Sequence, residues 1–329
     1  MQGSITPFPG GISSFGVPIF GNGIPATKGN VFFVDYTEGL DGNDGRSIDT
    51  SLKTVSEAYD RCTTNKFDVI VLMGNATHEL SAMLTISKNR VTIIGIDGSP
   101  GRYYGQAAKI QLGVTTAATD IATMKNTGVR NVFHNVKFMG LNTVAQGIYT
   151  VVEGGEYAQY VNCEIYKETD LDVTGAAELV MNGDSAQLIS CTIGSLANQL
   201  SGAIIRPCVL VTKGLAGTGL VARDVLFRDC FFWRNCSNIA NRFVYGANAT
   251  DVERTMIFDN CKFINNPLAL ATPSQTIAFG ATLTVGAVLC INPASIGSAT
   301  ALSTTTGVFA IGPDPAAAAA TMGIAIQCS

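Results

Sequence analysis

One six-residue segment returns five times and limits what this chain can become. Phe133-His134-Asn135-Val136-Lys137-Phe138 is followed by Tyr160-Val161-Asn162-Cys163-Glu164-Ile165 and Leu188-Ile189-Ser190-Cys191-Thr192-Ile193. Phe227-Arg228-Asp229-Cys230-Phe231-Phe232 and Phe258-Asp259-Asn260-Cys261-Lys262-Phe263 complete the set. The polar third positions fall at 135, 162, 190, 229 and 260, at intervals of 27, 28, 39 and 31 residues. Uneven periods of this size fit stacked β coils with loops of variable length, not a helical repeat array. No such coil buries its inner face alone, so coils stack in register and like residues form ladders. The repeat predicts an all-β chain, a right-handed parallel β-helix that bends at the polar position.

Strand alternation within the segment places Cys and the residue two before it on one face. The polar residue and the Phe or Ile then share the other. Asn, Asp or Ser at the bend can hydrogen-bond the turn backbone. Cys163, Cys191, Cys230 and Cys261 read as small buried hydrophobes. A redox or metal role is the alternative, and Val136 in the equivalent place argues for packing. The expected structural ladder is Asn135, Asn162, Cys163, Cys191, Cys230 and Cys261. The nine cysteines are odd in number, with no CxxC pair and no Cys/His metal spacing. That pattern suits free thiols in a reducing cytoplasm. Only His78 and His134 are histidines, so no cofactor or histidine-held metal is expected.

Three regions follow along the chain. Residues 1–30 place Gly and Pro every few positions and read as an extended N-terminal arm, with a disordered tail as the alternative. Phe8, Phe15, Ile19 and Phe20 are its candidate interface anchors. Residues 31–266 read as a capped parallel β-helix. Val31–Val34 and Asp68–Met73 are its first strands. Between them Leu52, Val55, Ala58 and Tyr59 recur at helical spacing, with Ser51 or Thr54 as the cap. Further strands are expected at 84–86, 91–95, 109–112 and 132–138. Residues 267–329, where Asp314 is the one formally charged side chain, read as a nearly uncharged, β-rich C-terminal cap or interface, with strands at 286–291, 307–312 and 323–327. The Ala316–Ala320 run reads as loop as readily as helix.

Charged residues make up only 14% of the chain, and the net charge is -4. No Lys/Arg cluster supplies the footprint of nucleic-acid binding. The apolar runs are too short to span a bilayer, and Met1-Gln2-Gly3-Ser4 does not open a secretory signal. A surface so poor in charge is expected to cover itself with further copies of the chain.

A family resemblance enters at Val34-Asp35-Tyr36-Thr37-Glu38-Gly39-Leu40-Asp41-Gly42-Asn43-Asp44-Gly45. With Leu52-Lys53-Thr54-Val55-Ser56-Glu57-Ala58-Tyr59, this stretch resembles the opening of pectin-lyase-like β-helix proteins. In that family a "VD…G.D.N.G" loop leads into a "..KT…A" helix that caps the solenoid. The chain as a whole resembles tailed-phage virion proteins of that superfamily. The resemblance implies a non-enzymatic, homotrimeric capsid decoration or cement protein, assembled in the host cytoplasm. Its partners would be the major capsid protein or another virion protein. The alternative is a tailspike-like glycan-binding protein or depolymerase, a polysaccharide lyase or hydrolase, with a surface glycan as partner.

Candidate chemistry is sparse. The Gly-His-Gly and Arg-Ile-Lys segments of the related polygalacturonases are missing, as are the clustered acids of pectate lyases. Two carboxylates on adjacent coils would serve glycoside hydrolysis. The densest acidic group holds Glu153, Glu156, Glu164, Glu168, Asp170 and Asp172, and the first three are the catalytic candidates. A solvated turn is the plainer account. Asp41, Asn43 and Asp44 are candidate oxygen ligands for calcium, although the EF-hand spacing is not met. Phe231, Phe232 and Trp233 could stack on a sugar, with core packing expected for two of the three.

Overall fold

A computed structural model describes residues 12–14, 17–19, 27–96, 108–113, 120–140, 148–167, 175–217, 219–236, 239–266, 273–298 and 302–311, except that 201–204 fall outside it. The anchors Phe8, Phe15 and Phe20, the acids Glu168, Asp170 and Asp172, Cys328, the Ala316–Ala320 run and the strand expected at 323–327 lie outside the described residues. Ile12–Ser14 and Val17–Ile19 pair as a short antiparallel ladder. Both are edge strands, where Pro18 is tolerated.

The fold is a parallel β-helix. Three parallel sheets carry ten, eight and seven strands, and each coil adds one strand to each in turn. One coil runs Val132–His134 in sheet 1, Lys137–Gly140 in sheet 2 and Tyr149–Glu153 in sheet 3. Gln159–Val161 then opens the next coil. Successive coils stack with equivalent residues opposite one another: Phe133 meets Tyr160, then Leu188, Phe227 and Phe258. These residues are all buried. Strands past residue 266, such as Ile277–Phe279, Gly286–Ile291 and Val308–Ile311, join the same sheets. The change in composition there is not a change of architecture among the described residues.

The bend between sheets 1 and 2 falls at the polar position of the repeat. Asn135, Asn162, Ser190, Asp229, Asn260 and Asn292 have φ between 47 and 55°. This left-handed conformation costs most side chains roughly 1–2 kcal/mol and is best tolerated by Gly and Asn. The bend splits the continuous strand expected over 132–138 into Val132–His134 and Lys137–Gly140. It also corrects the expected facing. Phe258, Cys261 and Phe263 all point inward, while Asp259, two before the Cys, does not. Cys261 and Phe263 are two apart and share a face by plain alternation, while the left-handed residue at 260 resets the phase relative to Phe258 and Asp259. The side chains at the bend also bond along the ladder: Asn162 Nδ2 donates to Asn135 Oδ1 at 2.6 Å, and Asn260 Nδ2 to Asp229 Oδ1 at 2.6 Å.

Inside the coils, rings stack from rung to rung. Phe133 lies 4.6 Å from Tyr160, Phe227 4.7 Å from Phe258, and Phe232 4.6 Å from Phe263, centroid to centroid. Each such pair adds roughly 0.5–1.5 kcal/mol beyond its burial. The cysteines of the ladder are buried among them. Burial pushes the Cys163 and Cys230 thiols up, which suppresses thiolate chemistry.

The single described helix, Val55–Arg61, is capped by Thr54, whose hydroxyl accepts from Glu57 N at 3.2 Å. It buries Val55, Ala58 and Tyr59 against the strands Val31–Val34 and Val69–Met73.

A second left-handed row marks the return from sheet 3 to sheet 1. Phe67, Arg90, Arg130, Tyr157, Ser185, Asp224 and Arg254 have φ of 63, 59, 59, 56, 55, 49 and 65°. The backbone N–H groups tie neighbouring coils here, as in Arg130 N to Glu156 O at 2.7 Å and Tyr157 N to Asp184 O at 2.8 Å.

The bend generates a direct test. Asn162→Val places a β-branched side chain in the left-handed region and should destabilise the protein by about 2 kcal/mol. Asn162→Gly, which relieves that strain, should cost less than half as much in urea unfolding. Equal losses for the two variants would show that backbone conformation does not select the residue.

Candidate functional site

The outward face of sheet 2 gathers cationic and aromatic side chains in register. Ile110, Phe138, Ile165, Phe232 and Phe263 fill the inner face of this sheet and are buried. Their neighbours in sequence therefore point out. One outward column runs Thr77, Lys109, Lys137, Glu164, Thr192, Phe231 and Lys262, one residue per coil. The column beside it holds Gln111, Met139 and Tyr166, and further on Gly194, Trp233 and Ile264.

The contacts on this face are specific. Lys137 Nζ lies 3.2 Å from Glu164 Oε2 and 4.8 Å from the centre of the Tyr166 ring. Phe231 and Trp233 stack at 6.0 Å with 14° between their planes, and the Lys262 ammonium sits 5.2 Å from the Phe231 ring. An open pocket of about 310 Å³ is lined by the 74–77 backbone segment with Lys109, Lys137 and Tyr166. Gly194 stands between Tyr166 and Trp233 in this column. Its φ is +93°, and a Cβ there would come within 2.1 Å of the Trp233 carbonyl oxygen.

Burial lifts the Glu164 carboxyl above the ordinary carboxylate range, and Lys137 offsets part of that rise. A carboxyl of this kind holds its proton nearer to neutral pH than an exposed one, as proton transfer requires. Of the three aromatics at 231–233, Phe232 packs in the core while Phe231 and Trp233 are half-buried on the outer face. The expectation that two of them pack inside is thus corrected. Consecutive residues of a strand alternate faces, so only the middle one can join the core.

The three candidate acids are not brought together. Glu153 ends a sheet-3 strand and points into the coil. Asn126 Nδ2 donates to both of its oxygens at 3.0 and 2.9 Å, Gly155 N to Oε1 at 2.6 Å, and the Tyr160 hydroxyl meets Oε2 at 2.5 Å. Glu156 is exposed at the corner between sheets 3 and 1. Glu164 alone lies on the outer side of sheet 2, where its carboxyl is fully buried beside Lys137. Asp41 accepts from Lys53 N at 2.9 Å and Thr54 N at 2.8 Å, so it holds the start of the helix. Asp44 accepts from Arg46 N and the Thr50 hydroxyl, and Asn43 Nδ2 donates to Ser51 O at 2.9 Å. Those oxygens hold their own loop. Among the described residues, no group of three or more His, Cys, Asp and Glu is arranged for a metal. His78 is buried and its Nε2 is bonded to Met73 O at 2.8 Å.

Sequence reasoning missed a buried ion pair. Both terminal nitrogens of Arg234 meet the two Glu178 oxygens at 2.8 Å. Nearby Lys167 is pulled down to about 7, chiefly by burial, with Glu178 opposing and Arg234 and Arg206 reinforcing the shift. Glu178 sits in the apolar run Ala177-Glu178-Leu179-Val180-Met181, 56 residues from its partner, and no local pattern joins them. The Lys109–Lys137–Tyr166 cluster was also missed, because its members come from three separate coils.

No family model and no curated protein matches the chain. Solved structures do match in fold. Pectate lyase Pel9A aligns with a TM-score of 0.59 at 11% identity, covering 87% of this chain and 69% of its own. A deglycosylated pectin methylesterase from Aspergillus niger aligns with a TM-score of 0.54 at 14% identity, covering 87% of this chain and 83% of its own. At such identity the likeness shows the parallel β-helix fold. It nevertheless corrects the expectation that the chain is not an enzyme. That expectation rested on missing motifs, while the solved chains that share this architecture are a lyase and an esterase.

Glu153 generates a pH prediction. Burial raises it from 4.5 to about 7, against the hydrogen bonds from Tyr160, Asn126 and Gly155. The folded state therefore keeps a proton that the unfolded chain releases between those values. Stability should fall as pH rises through this window, by on the order of 3 kcal/mol. In Glu153→Gln, whose amide can donate to Tyr160, this part of the decline should disappear from urea melts at pH 4.5 and 7.5. An unchanged decline would place the proton elsewhere.

Proposed function

We propose that the protein binds and cleaves a polysaccharide along the outer face of sheet 2, as a tailspike-like depolymerase. The observation that carries the reading is the in-register row Lys109, Lys137, Glu164 and Phe231, flanked by Tyr166 and Trp233. Coils about 4.8 Å apart set these groups at regular steps along a straight path. Aromatic faces stack on the apolar faces of sugar rings, and the lysines pair with hydroxyl or acidic groups. Glu164 is the group assigned to proton transfer, with Lys137 as its charge partner. The names of the fold's solved neighbours, a pectate lyase and a pectin methylesterase, support a polysaccharide-processing role over a purely structural one.

The virion setting belongs to this reading as a proposal, supported by the sequence resemblance to tailed-phage proteins. There the chain would form a homotrimer, attach to a capsid or other virion protein and meet a glycan on the host surface.

Incubation with host-surface polysaccharide, followed by assays for new reducing ends and for unsaturated ends, tests the activity. Glu164→Gln should lower cleavage by about 10²-fold or more while glycan binding persists. Trp233→Ala should weaken binding about tenfold, near 1.4 kcal/mol. Full cleavage by Glu164→Gln would remove Glu164 from the chemistry. Neither binding nor cleavage of any polysaccharide would overturn the proposal.

A further inference from the structure

The left-handed corner between sheets 3 and 1 changes character halfway along the solenoid. Its residues stand two before register partners on successive coils, namely Val69, Thr92, Val132, Gln159, Gln187 and Leu226. At the other corner every left-handed residue among the described residues is Asn, Asp or Ser. Here the last three are Ser185, Asp224 and then Arg254, which is also left-handed but is ion-paired. The first four are Phe67, Arg90, Arg130 and Tyr157, large side chains in a conformation they adopt rarely. Backbone preference therefore does not account for them, and strain retained in a row is a mark of use.

What these side chains present is solvent-facing. Phe67 is 48% exposed and Tyr157 52%. The Arg90 guanidinium lies 5.1 Å from the Phe67 ring centre, and that of Arg130 lies 5.3 Å from Tyr157. Among the described residues, neither guanidinium has an ion-pair partner. Later coils of the same corner differ. Arg223 meets Asp184 at 3.0 Å and Glu253 at 2.8 Å, and Arg254 meets Asp224 at 2.7 Å. The later half neutralises itself, while the first half leaves two arginines, with Lys66 beside Phe67, against Glu156. In a chain of net charge -4, this is a local cationic strip. It spans three coil steps, about 14 Å.

We propose that this strip is a second, non-catalytic binding site for an anionic polysaccharide. Arg90 and Arg130 would pair with its carboxylate or sulfate groups, and Phe67 and Tyr157 would stack on its sugar rings. Two cations on adjacent coils, with a ring on the coil before and the coil after, suit a linear polymer with a charge on each repeat. The site lies at a different corner from the sheet-2 face and stands whether or not that face cleaves glycan.

The test is native affinity electrophoresis of the whole chain in gels containing polygalacturonate, with dextran as the neutral control. Wild type should be retarded by polygalacturonate and not by dextran, less so as salt rises. Arg90→Asn with Arg130→Asn, and separately Phe67→Asn with Tyr157→Asn, should each weaken retention at least tenfold. Asn suits the left-handed backbone, so the thermal midpoint should hold or rise while binding falls, a split that a merely structural role would not give. Asp224→Asn should leave retention unchanged. Repeating the series in a Trp233→Ala background separates the two sites: the corner losses should persist there, whatever Trp233→Ala does alone. Unchanged retention in both double variants would overturn the proposal. So would binding to a single-stranded oligonucleotide or to anionic phosphatidylglycerol vesicles without binding to polygalacturonate.

Discussion

From residue 132 onward the described coils turn from sheet 1 to sheet 2 at a residue held in the left-handed conformation, and the stacking of these coils depends on that turn. Asn135, Asn162, Ser190, Asp229, Asn260 and Asn292 end one strand and start the next at the same point of each coil. Because the turn has the same length on each of these rungs, the residues before and after it fall into columns. The aromatic stacks inside and the cation–aromatic rows outside both follow from that registration. Short polar side chains tolerate the conformation and bond to one another along the ladder, so the corner is stabilised by the groups that its geometry selects.

Registration also explains how a chain with few charges can concentrate chemistry. Lys109, Lys137 and Glu164 are about 27 residues apart in sequence and one rung apart in space. A solenoid turns such intervals into neighbours, on whichever face the side chain points. Glu153 and Glu164 show the other side of this rule. Eleven residues apart, they end on opposite sides of the coil wall. Glu153 is sealed among Asn126, Gly155 and Tyr160, while Glu164 faces Lys137 outside.

The coil architecture was legible because the repeat states it directly: an apolar residue, a turn former, a small buried residue and another apolar residue. The cap helix was legible from Thr54 and the spacing of Val55, Ala58 and Tyr59. Facing around the bend was not. Strand periodicity assumes an unbroken strand, and a left-handed residue resets it, so Cys261 and Asp259 point apart. The candidate site was legible only in fragments. Trp233 and Phe231 stood out as aromatics and Glu164 as an acid, but their lysine partners belong to other coils. The missing catalytic motifs suggested an inert protein, an inference that the fold's neighbours do not sustain.

The sequence by itself determined that the chain coils, where it turns and which small residues pack inside, because these are local demands of backbone conformation and burial. Tertiary structure alone decided which side chains share a column, that Glu153 lies inside the coil while Glu164 is buried on the outer side of sheet 2 beside Lys137, and that Arg90 and Arg130 stand beside rings with no ion-pair partner among the described residues. Those outcomes depend on loop lengths between coils, which set the register of residues far apart in the chain and leave no trace in any local pattern.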